Sequence, residues 1–350
     1  MSAHLQKTLL LLLTLITFSA CKKKRDEIAA PSQPSTDIYA AGREGYVAKY
    51  WKNETAIILG SSTGGSDAND MTVTGADIHI AGYEINTAGK YVAKYWRNGQ
   101  STSLTDGTRD AYANGIFVKG SDVYIAGQEM APGRTTYQAK YWKNGTPVVL
   151  SAENQQAIAT GIAKVGDDVY VIGERRNLDW LTSITCYWKN GQLFDLSDLS
   201  RAAADQALTV SGNDLYMVWS ETYNNFGQSQ TRYSKNLATP VLIESGTPDV
   251  RGNSITVNGN DVYIAGSSSG NGNTAVIAKY WKNGAPVNLS NGPESAFAQS
   301  VAVTGTDVYV AGYRDGGGYG VAQYWKNGTV VGLTNGSQEA LLRKIIVVNN

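Results

Sequence analysis

Residues Ser254-Ile255-Thr256-Val257-Asn258-Gly259-Asn260-Asp261-Val262-Tyr263-Ile264-Ala265-Gly266 hold two short alternating runs around a Gly-Asn-Asp turn. Alternation of apolar and polar residues at period two marks a half-buried β-strand, and the glycine between the runs reads as a turn. Downstream, Tyr280-Trp281-Lys282-Asn283-Gly284 supplies a third strand and a hairpin. Asn-Gly is the strongest short hairpin signal, because both central residues of a type I′ turn need φ > 0. A fourth run ends at Leu289.

This unit recurs along the chain. The Asp that opens the second strand stands at Asp37, Asp77, Asp122, Asp168, Asp214, Asp261 and Asp307, at intervals of 40, 45, 46, 46, 47 and 46 residues. The third-strand marker begins at Tyr50, Tyr95, Tyr141, Tyr187, Tyr233, Tyr280 and Tyr324, and only Glu54 and Leu237 interrupt its Asn-Gly turn. Four strands (a to d) in about 45 residues is the signature of a propeller blade. The fold class is therefore all-β: a seven-bladed β-propeller of four-stranded antiparallel blades over residues 37–350.

The termini predict how the ring closes. Lys344-Ile345-Ile346-Val347-Val348-Asn349-Asn350 aligns with Ser254 to Asn260, so the chain stops one residue before the repeat Asp, which Asp37 supplies at the other end. The C-terminal strand a should pair with the first strand b. Pro147, Pro240 and Pro286 fall in strand d. Proline cannot donate to a ladder, so d is the outer edge and a lines the channel. The architecture resembles kelch and WD-repeat propellers, without the Gly-Gly doublet of the first or the Trp-Asp dipeptide of the second. The repeats themselves are similar to those of lipoproteins with Tyr-Trp-Lys-Asn-Gly units, a resemblance that brings no activity with it.

The N-terminus reads as an address. Lys7 precedes an apolar stretch from Thr8 to Ala20. Thirteen helical residues rise about 20 Å, short of a bilayer core of about 30 Å, so residues 1–20 read as a signal peptide. Phe18-Ser19-Ala20-Cys21 resembles the lipobox of bacterial lipoproteins, which implies lipid, including palmitate, on Cys21 and residence in the outer membrane. Residues 21–36 form a polar, Pro-containing tether. Its Lys22-Lys23-Lys24-Arg25-Asp26-Glu27 cluster resembles the surface-export signals of Bacteroidota lipoproteins.

Composition excludes more than it assigns. Thirty basic and thirty acidic residues give no net charge, which argues against a nucleic-acid partner. Two His and two Cys leave no His-rich metal site, no disulfide framework and a single histidine (His79) for any triad in the mature chain. No cofactor or metal is implied. His79 occupies a Tyr slot and Cys186 a strand position, so both read as packing residues. A closed single-chain ring is expected to be monomeric.

The departures from the repeat supply the candidate binding residues. The b–c connections vary most and share a rim with the d–a connections. Loops on a rigid scaffold carry binding. Trp180 and Trp219 stand outside the repeat Trp slot, near Arg175, Glu221, Tyr223 and Phe226. Aromatic rings beside Arg and Glu suit a glycan or a protein ligand. The same residues also fit a drifted repeat in which the tryptophans pack locally. A non-enzymatic binding module is the expected function. A propeller-fold polysaccharide lyase or glycoside hydrolase, acting through Glu84, Glu129, Glu174 and Glu221, is the enzymatic alternative. A structural subunit of an envelope complex is a third.

Overall fold

The computed structural model describes residues 35–350, apart from 62–63, 177–182, 198–201, 224–227, 245–248 and 270–274. Residues 1–34, on which the expected signal peptide, Cys21 and nearly all of the expected tether fall, lie outside the described residues. Residues Thr36–Asn350 form one unit of seven four-stranded antiparallel sheets. Blade 2 is typical: strand a is Ser66–Thr74, b is Asp77–Ile85, c is Tyr91–Arg97 and d is Gln100–Ser103. Blade 1 takes strands b, c and d from Thr36–Glu44, Val47–Lys52 and Thr55–Ile58. Its strand a is Ala340–Asn349, the C-terminus. Thr36 faces Asn349, Ile38 faces Val347 and Ala40 faces Ile345. The ring is thus sewn by both ends of the chain, as the alignment predicts.

Strands a of all seven blades line a central channel of about 420 Å³. Strand d is the outer edge of every sheet. Pro147 and Pro286 lie within it, while Pro240 falls just before the two-residue strand Val241–Leu242 of blade 5. The turn before it lacks glycine, and Asn236 and Leu237 both hold positive φ, of 52° and 60°.

Each repeat Asn does more than bend the chain. In all seven blades its Nδ2 donates to the repeat Asp at 2.7–2.9 Å. Its Oδ1 accepts the N–H of the residue after that Asp at 2.8–2.9 Å. The neighbouring Lys or Arg pairs with the same carboxylate at 2.5–3.2 Å. In blade 1 the Asn53 amide and the Lys52 ammonium hold the Asp37 carboxyl down at about 2. This lattice ties the a–b turn to the c–d turn, so one rim is consumed by structure.

One buried tryptophan fills each gap between neighbouring blades: Trp51, Trp96, Trp142, Trp188, Trp219, Trp281 and Trp325. Six come from strand c. The seventh, Trp219, comes from strand b of blade 5, where strand c carries Ser234 instead. In an ordinary blade the strand-c ring lies over the strand-b glycine: a Cβ added to Gly82 or Gly127 would meet Trp96 or Trp142 at 3.0 or 2.9 Å, and would collide with the backbone carbonyl of Asp67 or Tyr112. Blade 5 has moved its tryptophan across to the glycine position.

That move requires a second change. Every strand a carries a β-bulge, and in blade 2 the bulged residue Asn69 falls between the partners of Gly82 and Ala81. In blade 5 the bulged residue is Asp205, between the partners of Ser220 and Trp219, one step nearer the b–c rim. The shift pairs Trp219 with Gln206 and changes which carbonyl faces the slot. Asp205 pays with a left-handed backbone, φ 37°, unlike the other six bulged residues.

Candidate functional site

Four of the candidate binding residues, Trp219, Arg175, Glu221 and Tyr223, lie in described strands; Trp180 and Phe226 lie outside the described residues, and so does the Tyr223 side chain. Trp219 is fully buried, packed against Ile172, Tyr187, Leu215 and Met217 at the blade 4–5 gap, and is not a rim platform. Its Nε1 donates to Glu221 Oε1 at 2.9 Å. Glu221, itself 2% exposed, pairs with Arg232 at 2.6 Å. A binding surface built on Trp219 and Glu221 is therefore corrected: these two residues build the blade. The physical reason is the exchange described above, in which the Gly slot became the inter-blade slot.

The repeated rim carboxylates follow the same logic. Glu44, Glu84, Glu129 and Glu221 each pair with the strand-c base of their own blade, Lys49, Lys94, Lys140 and Arg232, at 2.5–2.9 Å. Blade 4 has Cys186 in place of that base and Arg175 in place of the Glu. There Arg175 grips Asp195 of strand d with two bonds of 2.8 and 2.7 Å. The polarity is reversed and the pairing is kept, so Arg175 also has a structural partner. Cys186 lies fully buried beneath this pair, and burial pushes its thiol far up, out of reach as a nucleophile. His79 is buried with Nδ1 2.6 Å from the Tyr95 hydroxyl, and burial lowers its pKa.

The b–c rim nevertheless gathers residues that no repeat explains. At the channel mouth Glu174 and Asp205 share a cavity of about 310 Å³ with Thr160, Gln206, Asn253 and Gln299. Glu174 stands one residue past its glycine, off the repeated Glu slot. Burial raises both carboxyl pKa values; Arg176 beside Glu174 and Arg251 near Asp205 oppose the shift only in part. Asp205 is exposed to the cavity at the channel mouth yet ringed by protein, which is why it is both accessible and hard to ionise. Across blades 2 and 3, Tyr83, Tyr91, Tyr112 and Tyr137 form a chain of ring contacts at 4.8–6.0 Å.

A third feature sits where blade 7 meets blade 1. Tyr46 is 76% exposed and Tyr319 53%, and both border one cavity of about 360 Å³ with Arg43, Ser337, Gln338 and Glu339. A second cavity of similar size shares Tyr319 and Glu339 and adds Phe297 and Tyr313. Sequence reading passed over both tyrosines. The available signal was an aromatic residue inside a glycine-rich b–c turn, Gly45-Tyr46 and Gly317-Gly318-Tyr319.

Asp205 offers a direct check of the electrostatics. A carboxyl whose pKa is raised on folding favours the folded state only while protonated. That contribution is complete below the unfolded pKa and is lost as pH rises through the folded pKa. Asp205→Asn keeps the polar shape and removes the charge. It should raise the melting temperature at neutral pH, and the gain should shrink in acid. A gain independent of pH, measured by thermal melts across that range, would contradict the assignment.

No protein-family model and no curated protein matches the sequence. Among solved structures the chain is similar to a puromycin-hydrolyzing peptidase of Mycobacterium tuberculosis, with a TM-score of 0.52 and 12% identity over 78% of this chain and 46% of that one. It is also similar to Trypanosoma rangeli sialidase in complex with sialic acid (TM-score 0.49, 9% identity, 83% of this chain and 55% of that one). TolB from Acinetobacter baumannii gives a TM-score of 0.48 and 10% identity over 88% of this chain and 82% of that one. This chain spans about half the length of the peptidase and the sialidase. At such identities the likeness concerns the β-propeller fold alone.

Proposed function

We propose that the protein is a lipoprotein anchored in the outer membrane by lipid on Cys21, whose propeller is a non-enzymatic module that binds a glycan or protein ligand on the b–c rim. The observation that supports this reading best is the contrast between the rims. The a–b rim is filled by seven copies of one Asp-Asn-Lys/Arg lattice. The unrepeated residues Tyr46, Tyr319, Glu174 and Asp205 all stand on the other rim.

Two measurements test the proposal. Cys21→Ala should release the chain from the membrane fraction and remove acyl mass from its N-terminus; unchanged membrane association would sink the anchor. For the rim, residues 22–350 carry only the buried Cys186, so one introduced surface cysteine can be capped selectively with a polyethylene glycol maleimide. Capping Ser337→Cys should abolish retention on resins bearing envelope polysaccharide or envelope protein. Capping Lys119→Cys, at the a–b turn of blade 3, should leave retention intact. Equal behaviour of the two would argue against the rim.

A second reading, hydrolysis, rests on one observation: Glu174 and Asp205 share a cavity and both hold protons more tightly than free carboxyls. Hydrolysis of chromogenic glycosides by the parent, lost in Glu174→Gln, would favour it.

A further inference from the structure

We infer that the groove between blades 7 and 1 is a carbohydrate site, and that its ligand is a neutral glycan stacked on Tyr46 and Tyr319. The inference rests on the b–c rim being the binding face, and it names the subsite and the ligand class. Tyr46 and Tyr319 are the exposed aromatic side chains among the described residues, and they face the same cavity. An exposed ring on a soluble surface has a cost in apolar hydration, and a sugar's flat C–H face is the chemistry that covers it while leaving hydroxyls in water.

Both rings stand on backbone held in advance. Tyr46 tips the tight b–c turn of blade 1, whose Gly45 has φ 61°. The Gly45 N–H donates to the Glu339 carbonyl at 2.7 Å, and the Tyr46 carbonyl accepts the Ser66 N–H at 2.8 Å. On the other side the Gly316 N–H donates to the Tyr319 carbonyl at 2.9 Å, and the Gly320 N–H donates to Glu339 Oε2 at 2.6 Å. Glu339 therefore fastens both aromatic turns, by its carbonyl to one and by its carboxylate to the other. Glu339 borders the cavity together with Gln338 and Ser337, polar groups suited to sugar hydroxyls. Preorganisation of this kind reduces the ordering cost of binding.

Charge selects neutral sugars over acidic ones. Arg43 is already engaged, to Asp67 at 3.5 Å and to the Gly45 carbonyl at 3.2 Å. Among the described residues that border the two cavities, Glu339 and Asp315 outnumber Arg43, so a uronate would meet a lining that is net negative. A peptide adding as a strand needs an open sheet edge. The open edges here are the strands d on the circumference, away from this groove.

Affinity electrophoresis of the folded chain in gels containing a soluble β-glucan, an α-mannan or a xylan tests the inference, with polygalacturonate as the acidic comparison. Retardation by at least one neutral polysaccharide is expected. Tyr46→Ala and Tyr319→Ala should each weaken it about tenfold, the effect of losing one stacking ring. Tyr46→Phe should retain it, since the face is used and the hydroxyl is not. Both rings are exposed, so melting temperatures should not change. Retardation only by polygalacturonate, or retardation untouched by the alanine changes, would overturn this ligand assignment while leaving rim binding standing. No retardation here, together with equal retention of the two capped cysteine variants above, would overturn both.

Discussion

Removal of Ile345–Asn350 is expected to abolish cooperative folding. The deleted residues are half of strand a of blade 1 and the partners of Thr36 to Ala40. Ile345 is buried beside Trp51, Tyr309 and Leu342, and Val347 packs on the same cluster. Ile346 packs on the next gap, with Tyr39, Met71 and Trp96. Burying such side chains contributes about 1.5–3 kcal/mol each, so losing three of them approaches the whole 5–15 kcal/mol margin of a folded domain. The deletion also uncovers the inner edge of Thr36–Glu44 and opens the ring, leaving an unpaired strand that favours aggregation. Soluble yield, size-exclusion profile and thermal melting should all fail together. Removal of Asn350 alone, which lies beyond the paired strand and adds one bond to Asp37, is the control and should cost far less than the longer deletion. A soluble truncation at residue 344 that melts within a few degrees of the parent would contradict closure by the termini.

The second large effect concerns blade 5. Trp219→Ala should destabilise by about 3–5 kcal/mol, as large aromatic truncations in close-packed interiors do. It also leaves Glu221 without the indole N–H that it accepts at 2.9 Å. The exchange between strands makes a stricter test. Trp219→Gly combined with Ser234→Trp and Asp205→Ala returns blade 5 to the pattern of its neighbours: ring on strand c, glycine on strand b, and a small residue where Ala68, Ala113, Ala159 and Ala298 stand. The triple variant should recover most of the stability lost in Trp219→Gly alone. If it melts no higher than that single variant, the tryptophan has not simply changed strands, and Trp219 holds a role peculiar to its own position.

The same blade explains why Trp219 reads from the sequence either as a rim residue or as a locally packed drift of the repeat, and its burial fits the second. A Trp in a slot that is glycine in the other six copies looks like a residue added for a ligand. Its compensation, Ser234, lies on another strand, and the two positions are near each other only once the hairpin forms. Glu221 and Arg232, or Arg175 and Asp195, are likewise separated in the chain and joined by cross-strand register. Tyr46 and Tyr319 lie at opposite ends of the sequence, and the closure of the ring is what puts them around one cavity.

Strand number, blade number, turn type, the outer edge and the closure of the ring were all determined by the sequence on its own. These properties depend on local alternation and on φ preferences that each Asn-Gly and each Pro carries wherever it sits, and sevenfold repetition let every copy check the others. Only the tertiary structure decided which unusual residues serve the scaffold and which face solvent. That decision rests on cross-strand and cross-blade distances: Trp219 is scaffold because its indole fills the gap that Ser234 leaves, and Tyr46 is surface because its turn is pinned by the carbonyl of Glu339, nearly three hundred residues away. A repeat states what its copies share. What a single copy does differently is settled by the neighbours that packing brings to it.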